Sequence, residues 1–98
     1  TINLLVFTNC ALTDGALTKS LLTITEAKTV ALQSIGITSV LSNQPATGTS
    51  TDGVIMTIDP NGELLTDTGT FSQFGDTLAK AVRSAIEKAL ENTATLDL

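Results

Sequence analysis

Two periods of hydrophobic and polar positions run along the chain and divide it into elements. Ile2 to Thr8 (Ile-Asn-Leu-Leu-Val-Phe-Thr) is a short apolar run with β-branched and aromatic members, ending at Asn9 and the Thr13-Asp14-Gly15 cluster, and predicts a buried strand. From Ala16 to Ile35 the apolar residues Leu17, Leu21, Ile24, Ala31 and Ile35 recur at helical steps, and Gly36 stands where a terminating glycine belongs. A break in that helix is expected near Thr23. Thr23-Ile24-Thr25-Glu26 fits a capping box, and three β-branched residues in a row weaken a helix interior.

Ile37 to Leu41 predicts a second short strand, followed by a polar loop from Ser42 to Asp52. Gly53 to Asp59 predicts a central strand. The turn signal Asp59-Pro60-Asn61-Gly62 ahead of Glu63 to Leu65 then predicts a β-hairpin. After a second polar loop, Thr66 to Gly75, the residues Leu78, Val82, Ala85, Ile86, Ala89 and Leu90 make an apolar stripe between Asp76 and Asn92, with charged residues outside it. The order β, α, β, β, β, α with one strand-crossover-strand unit predicts an α/β fold: a mixed β-sheet packed by two main helices, in a single domain over residues 1–98.

Composition narrows the function classes. At 42% hydrophobic and 15% charged, the 98 residues have the balance of a folded domain. A net charge of −5 without clustered Lys or Arg argues against nucleic acid and against a membrane surface as partners. No apolar run approaches the roughly 20 residues that cross a bilayer. The chain has no histidine and one cysteine, Cys10, so it cannot supply a Ser/His/Asp triad, a His-ligated metal site or an internal disulfide; cytoplasmic location is the expectation.

Threonine is concentrated in or beside the inferred loops, at Thr8, Thr13, Thr47, Thr49, Thr51, Thr66, Thr68 and Thr70. Hydroxyls gathered there would line one rim of the sheet, although threonine also suits turns without any such role. Gly48-Thr49-Ser50-Thr51-Asp52-Gly53 has the glycine spacing of a phosphate loop but Val54 where the lysine belongs, so the nucleotide reading fails. Asp52 remains either an acceptor or base for a polar substrate or a side chain that satisfies loop amides. Lys28 falls on the apolar stripe of its helix and either snorkels to the surface, the favoured outcome, or enters a polar site; Glu26, two residues away, cannot pair with it. Cys10, lacking an activating histidine, reads as a small buried hydrophobe. Thr1 carries the sharpest hypothesis: a first-position threonine can attack with its hydroxyl and use its own α-amine as base, which needs no imidazole. Trimming of an initiator methionine, or a leader upstream, accounts for the same residue without chemistry.

Thr1-Ile2-Asn3-Leu4-Leu5-Val6, Thr25-Glu26-Ala27-Lys28, Ala46-Thr47-Gly48-Thr49-Ser50-Thr51-Asp52 and Gly69-Thr70-Phe71-Ser72-Gln73-Phe74-Gly75 resemble, in order and spacing, the C-terminal half of the adenosylcobinamide amidohydrolase (CbiZ-type) family. The resemblance runs from Thr1 to about Leu90. It implies hydrolysis of the amide joining aminopropanol to the corrin ring of adenosylcobinamide, giving adenosylcobyric acid in corrinoid salvage. It implies no required cofactor, the substrate itself being a cobalt corrinoid, and a partner in the form of an N-terminal half chain or a homo-oligomer. The family pattern Gly-Thr-Ile-Asn at the first strand suggests that Thr1 is exposed by cleavage of a Gly-Thr bond. In the second loop the family usually reads Gly-Thr-His-Thr, whereas Phe71 and Ser72 stand here.

The resulting expectation is an amidohydrolase with Thr1 and Asp52 as catalytic residues and Thr49, Thr51, Glu26, Lys28, Thr70 and Phe71 as substrate contacts. The alternative is a non-catalytic corrinoid-binding or assembly module that keeps the fold, favoured by Phe71.

Overall fold

The computed structural model describes residues 1–96, with side chains described as far as Glu91; the last two residues of the expected 1–98 domain lie outside the described residues. The elements are β1 (Asn3–Phe7), β2 (Ala11–Leu12), α1 (Asp14–Ile35), β3 (Gly53–Thr57), β4 (Leu64–Leu65) and α2 (Gln73–Leu96). The fold is α/β. β1 pairs with β3 in parallel, Asn3 opposite Gly53 through Phe7 opposite Thr57, and β2 pairs with β4 in parallel. The long crossover that a parallel pair requires is supplied by α1.

Strand alternation decides which residues meet the helices. Leu4, Val6, Val54 and Met56 face inward and pack on a core built from Ile24, Ala27, Ala31 and Leu32 of α1 with Leu78, Val82 and Ile86 of α2. Leu5, Phe7 and Ile55 point the other way and are exposed, so the first strand is covered on one face rather than buried on both.

Helix α1 runs without a break. Thr13 caps it, its hydroxyl accepting from the Ala16 amide at 3.2 Å; Asp14 adds a favourable charge in the first turn; Gly36 closes it in the left-handed region at φ 86°. Thr23 does not start a new helix because its hydroxyl is engaged elsewhere. It donates to the Thr68 carbonyl at 2.9 Å, while Thr68 donates to the Ala16 carbonyl at 2.6 Å, both side chains fully buried. These two bonds fasten the loop before α2 to the first half of α1. Thr68→Val is expected to cost about 2 kcal/mol in urea unfolding, since it removes one bond and leaves a buried carbonyl short of a donor.

Two strand predictions need correction. The Asp59–Gly62 turn forms, with the Asn61 amide on Asp59 Oδ1 at 2.9 Å and the Gly62 amide on the Asp59 carbonyl at 3.0 Å, but it makes no hairpin. The turn instead docks on the segment after β1: the Asp59 amide reaches the Cys10 carbonyl and the Ala11 amide the Glu63 carbonyl. A Cβ at Gly62 would lie 2.0 Å from the Asn9 carbonyl oxygen, so only glycine permits that approach. The strands form two separate two-stranded sheets, each parallel, and among the described residues the antiparallel element is an isolated bridge between Thr38 and Pro45. That bridge is all that forms of the second predicted strand. Asn43, at φ 58°, turns the chain back early and leaves Val40 and Leu41 exposed at the tip.

Candidate functional site

The N-terminal ends of β1 and β3 lie side by side, and the polar residues just ahead of them converge there. Asp52, immediately before β3, is the centre. Its Oδ1 accepts from the Ile2 amide at 2.8 Å and the Thr49 hydroxyl at 2.6 Å; its Oδ2 accepts from Lys28 Nζ at 2.9 Å and the Thr49 amide at 2.8 Å. Four donors around one carboxylate hold it well below the usual carboxylate range. The Thr49 hydroxyl is the largest cause, followed by the Thr49 amide, with Lys28 and the Ile2 amide adding to them against a desolvation cost.

Lys28 belongs to the polar site and does not snorkel. Its side chain is 11% exposed and that of Asp52 13%, so the pair is largely withdrawn from water. The position on the apolar stripe of α1 was the signal, because a cation held there among Ile24, Ala31 and Leu32 requires a carboxylate that the helix itself does not provide. Gly48 allows the approach: a Cβ there would lie 2.6 Å from both Lys28 Nζ and Asp52 Oδ2. Thr1 joins the group through its hydroxyl, which is hydrogen-bonded to that of Thr51.

Two depressions meet at this cluster. Between α1 and residues 37–50 an open cleft of about 800 Å³ includes Lys28, Thr29, Thr47, Gly48 and Thr49 in its lining, and the Thr29 hydroxyl reaches the Thr47 carbonyl across it. Along β1 a groove of about 460 Å³ is lined by Thr1 to Leu5 and by Ala85, Ile86, Ala89 and Leu90 of α2. The contribution of α2 to the surroundings of Thr1, and of the Ile2 amide to Asp52, went unread in the sequence. Ala85 and Ala89, small residues four apart on the stripe, were the available hint.

The other expected contacts lie elsewhere. Glu26 is exposed and pairs with Lys19 at 3.9 Å. Thr70 and Phe71 sit, both exposed, on the loop that Thr68 ties to the first half of α1, and the fold does not bring them into the Asp52 group. Cys10 is half-buried. Among the described residues no three carboxylate, cysteine or histidine side chains converge as metal ligands, and no helix is long and apolar enough to cross a membrane.

The carboxylate has a signed consequence for stability. Its native proton affinity lies below that of the unfolded chain, where an aspartate titrates near about 3.9. Its stabilisation is complete above that value and is lost as pH falls, because only the unfolded state takes up the proton. Urea midpoints are expected to hold steady from pH 7 to about pH 5 and to decline below about pH 4, with a shallower decline in Asp52→Asn.

A parallel α/β domain with a hydroxyl-rich, carboxylate-centred rim at its strand ends is the class that fold and site define. The chain belongs to the adenosylcobinamide amidohydrolase family, whose model matches residues 1–97. An uncharacterized protein of Methanocaldococcus jannaschii is 40% identical over 91 residues, which is 92% of this chain and 35% of that protein. The chain thus spans about a third of that relative's length. No solved structure matches it significantly.

Proposed function

We propose that this chain supplies the threonine–aspartate rim at which an amide of a corrinoid is hydrolysed, the substrate being adenosylcobinamide and the products aminopropanol and adenosylcobyric acid. Membership of the amidohydrolase family supports the reaction class. The observation that carries the reading is the convergence of Thr1, Thr51, Thr49, Asp52 and Lys28, from three separate stretches of sequence, between an open cleft and a groove.

In this reading the Thr1 hydroxyl attacks the amide carbonyl, giving an ester and the free amine. Water then hydrolyses the ester and restores the hydroxyl. Where Thr1 is the first residue of the mature polypeptide, its α-amine takes the hydroxyl proton and returns it to the departing amine. Asp52 is a positioning residue. All four of its acceptor directions are used and it is held ionised, so it keeps Thr49 and the start of β1 in place and does not itself collect a proton. The corrinoid rests in the cleft beside Lys28 and Thr49.

The test is incubation of the complete polypeptide with adenosylcobinamide and assay for released aminopropanol. Release at a rate that scales with enzyme supports the reading, and tight binding without release sinks it in favour of a corrinoid-binding module. Phe71 favours that second reading, because an exposed phenylalanine that can lie on a ligand face stands where the family resemblance leads one to expect a histidine.

A further inference from the structure

The groove along β1 runs between that strand and α2. Among the described residues β1 pairs with β3 alone. The bonds from the Gly53 amide to the Ile2 carbonyl and from the Thr8 amide to the Thr57 carbonyl set the phase of that ladder, so the even-numbered residues of β1 turn their backbone groups toward β3. The amides and carbonyls of Asn3, Leu5 and Phe7 therefore point at the opposite edge. The groove is open, about 460 Å³ in volume, and has Ile86, Ala89 and Leu90 of α2 in its lining.

The outer sheet face is apolar as well: Leu5 is 61% exposed, Phe7 73% and Ile55 60%. An uncharged edge beside an uncovered apolar face is a configuration that proteins normally shield. The longer relative has the chain from which such a cover could be made. About two thirds of that polypeptide lies outside the match, which is ample chain for further strands.

We propose that a β-strand from the rest of the longer family polypeptide adds to the open edge of β1 beneath α2. Its backbone pairs with Asn3, Leu5 and Phe7, and its inward side chains fill the groove against Ile86 and Leu90. The added strand runs beside Thr1, so it closes one wall of the depression there. The inference stands whether or not the chain hydrolyses adenosylcobinamide, since none of its readouts is activity.

The experiment compares the 98-residue chain with a full-length chimaera in which this chain replaces the 91 matched residues of the M. jannaschii relative. Residue-resolved amide exchange is read at Leu5 and Phe7, with Leu4 and Val6 as internal references already bonded to β3. In the chimaera Leu5 and Phe7 are expected to exchange at least about 10-fold more slowly than in the short chain, approaching Leu4 and Val6. Leu5→Pro removes an amide that the β3 ladder does not use, in a strand whose extended backbone proline tolerates at an edge. It is expected to lower the chimaera's melting temperature while leaving that of the short chain within a few degrees. Unchanged exchange at Leu5 and Phe7 in the chimaera overturns the proposal. So does equal protection of those two amides in the short chain with a dimeric mass by light scattering, which would make a second copy the occupant. If Leu5→Pro prevents folding of both proteins, the exchange comparison in the unsubstituted pair decides.

Discussion

Asp52→Ala is expected to destabilise the chain by about 3 kcal/mol, seen as a fall of about 15 °C in melting temperature. The substitution strands Lys28, whose ammonium is left in a largely desolvated position on α1 with no counter-charge, and it strips the Ile2 and Thr49 amides of their acceptor. The reverse deletion is milder. Lys28→Met keeps the packed stem and leaves Asp52 three donors, so a loss of about 1 kcal/mol is expected. The asymmetry is itself the measurement. Equal losses in the two variants would mean that the ion pair, and not the amide cradle, holds the rim together. Asp52→Ala also frees the start of β1, so in the proposed reaction of the complete polypeptide turnover should fall more than substrate affinity.

Thr1→Ala is expected to do the opposite: to leave stability within about 0.5 kcal/mol, since Thr1 is exposed, and to lower kcat for adenosylcobinamide hydrolysis by about 10³-fold or more. Thr1→Ser, which keeps the hydroxyl, should retain most of the rate. Where Thr1 is the first residue of the mature polypeptide, adding one residue ahead of it separates nucleophile from base, because it preserves the hydroxyl and removes the α-amine of Thr1. Loss of activity in that variant agrees with the α-amine as base; full activity assigns the proton transfer to another group. Full activity in Thr1→Ala removes Thr1 from the chemistry altogether.

The two experiments address different parts of one arrangement. Asp52 is built into the scaffold, with a desolvated cation and two backbone amides depending on it. Thr1 hangs from the rim by a single hydroxyl contact with Thr51 and little packing. Its loss is therefore expected to register in the proposed reaction and hardly at all in stability.

What could be read from local sequence were the features whose causes are local. The helix from residue 73 onward follows from a stripe at 3.6-residue spacing, and the end of α1 follows from Gly36, the residue that best tolerates the left-handed turn there. The Asp59–Gly62 turn follows from side chains that bond their own backbone. The family pattern was readable in the same way, as residues in order.

The tertiary structure decided everything that joins distant segments. An alternation of period two says that a strand has two faces but not which strand lies beside it, so β4 could be assigned to β3 when it in fact pairs with β2. A run of β-branched residues at Thr23 reads as a weak helix until Thr68, 45 residues away, offers a carbonyl to its hydroxyl. Lys28 on an apolar stripe has no visible reason to stay buried until the fold brings Asp52, 24 positions later, to within 2.9 Å. Helix periodicity is settled by neighbours three and four residues away, whereas strand pairing, buried charge and the rim of a site depend on partners that only chain folding selects.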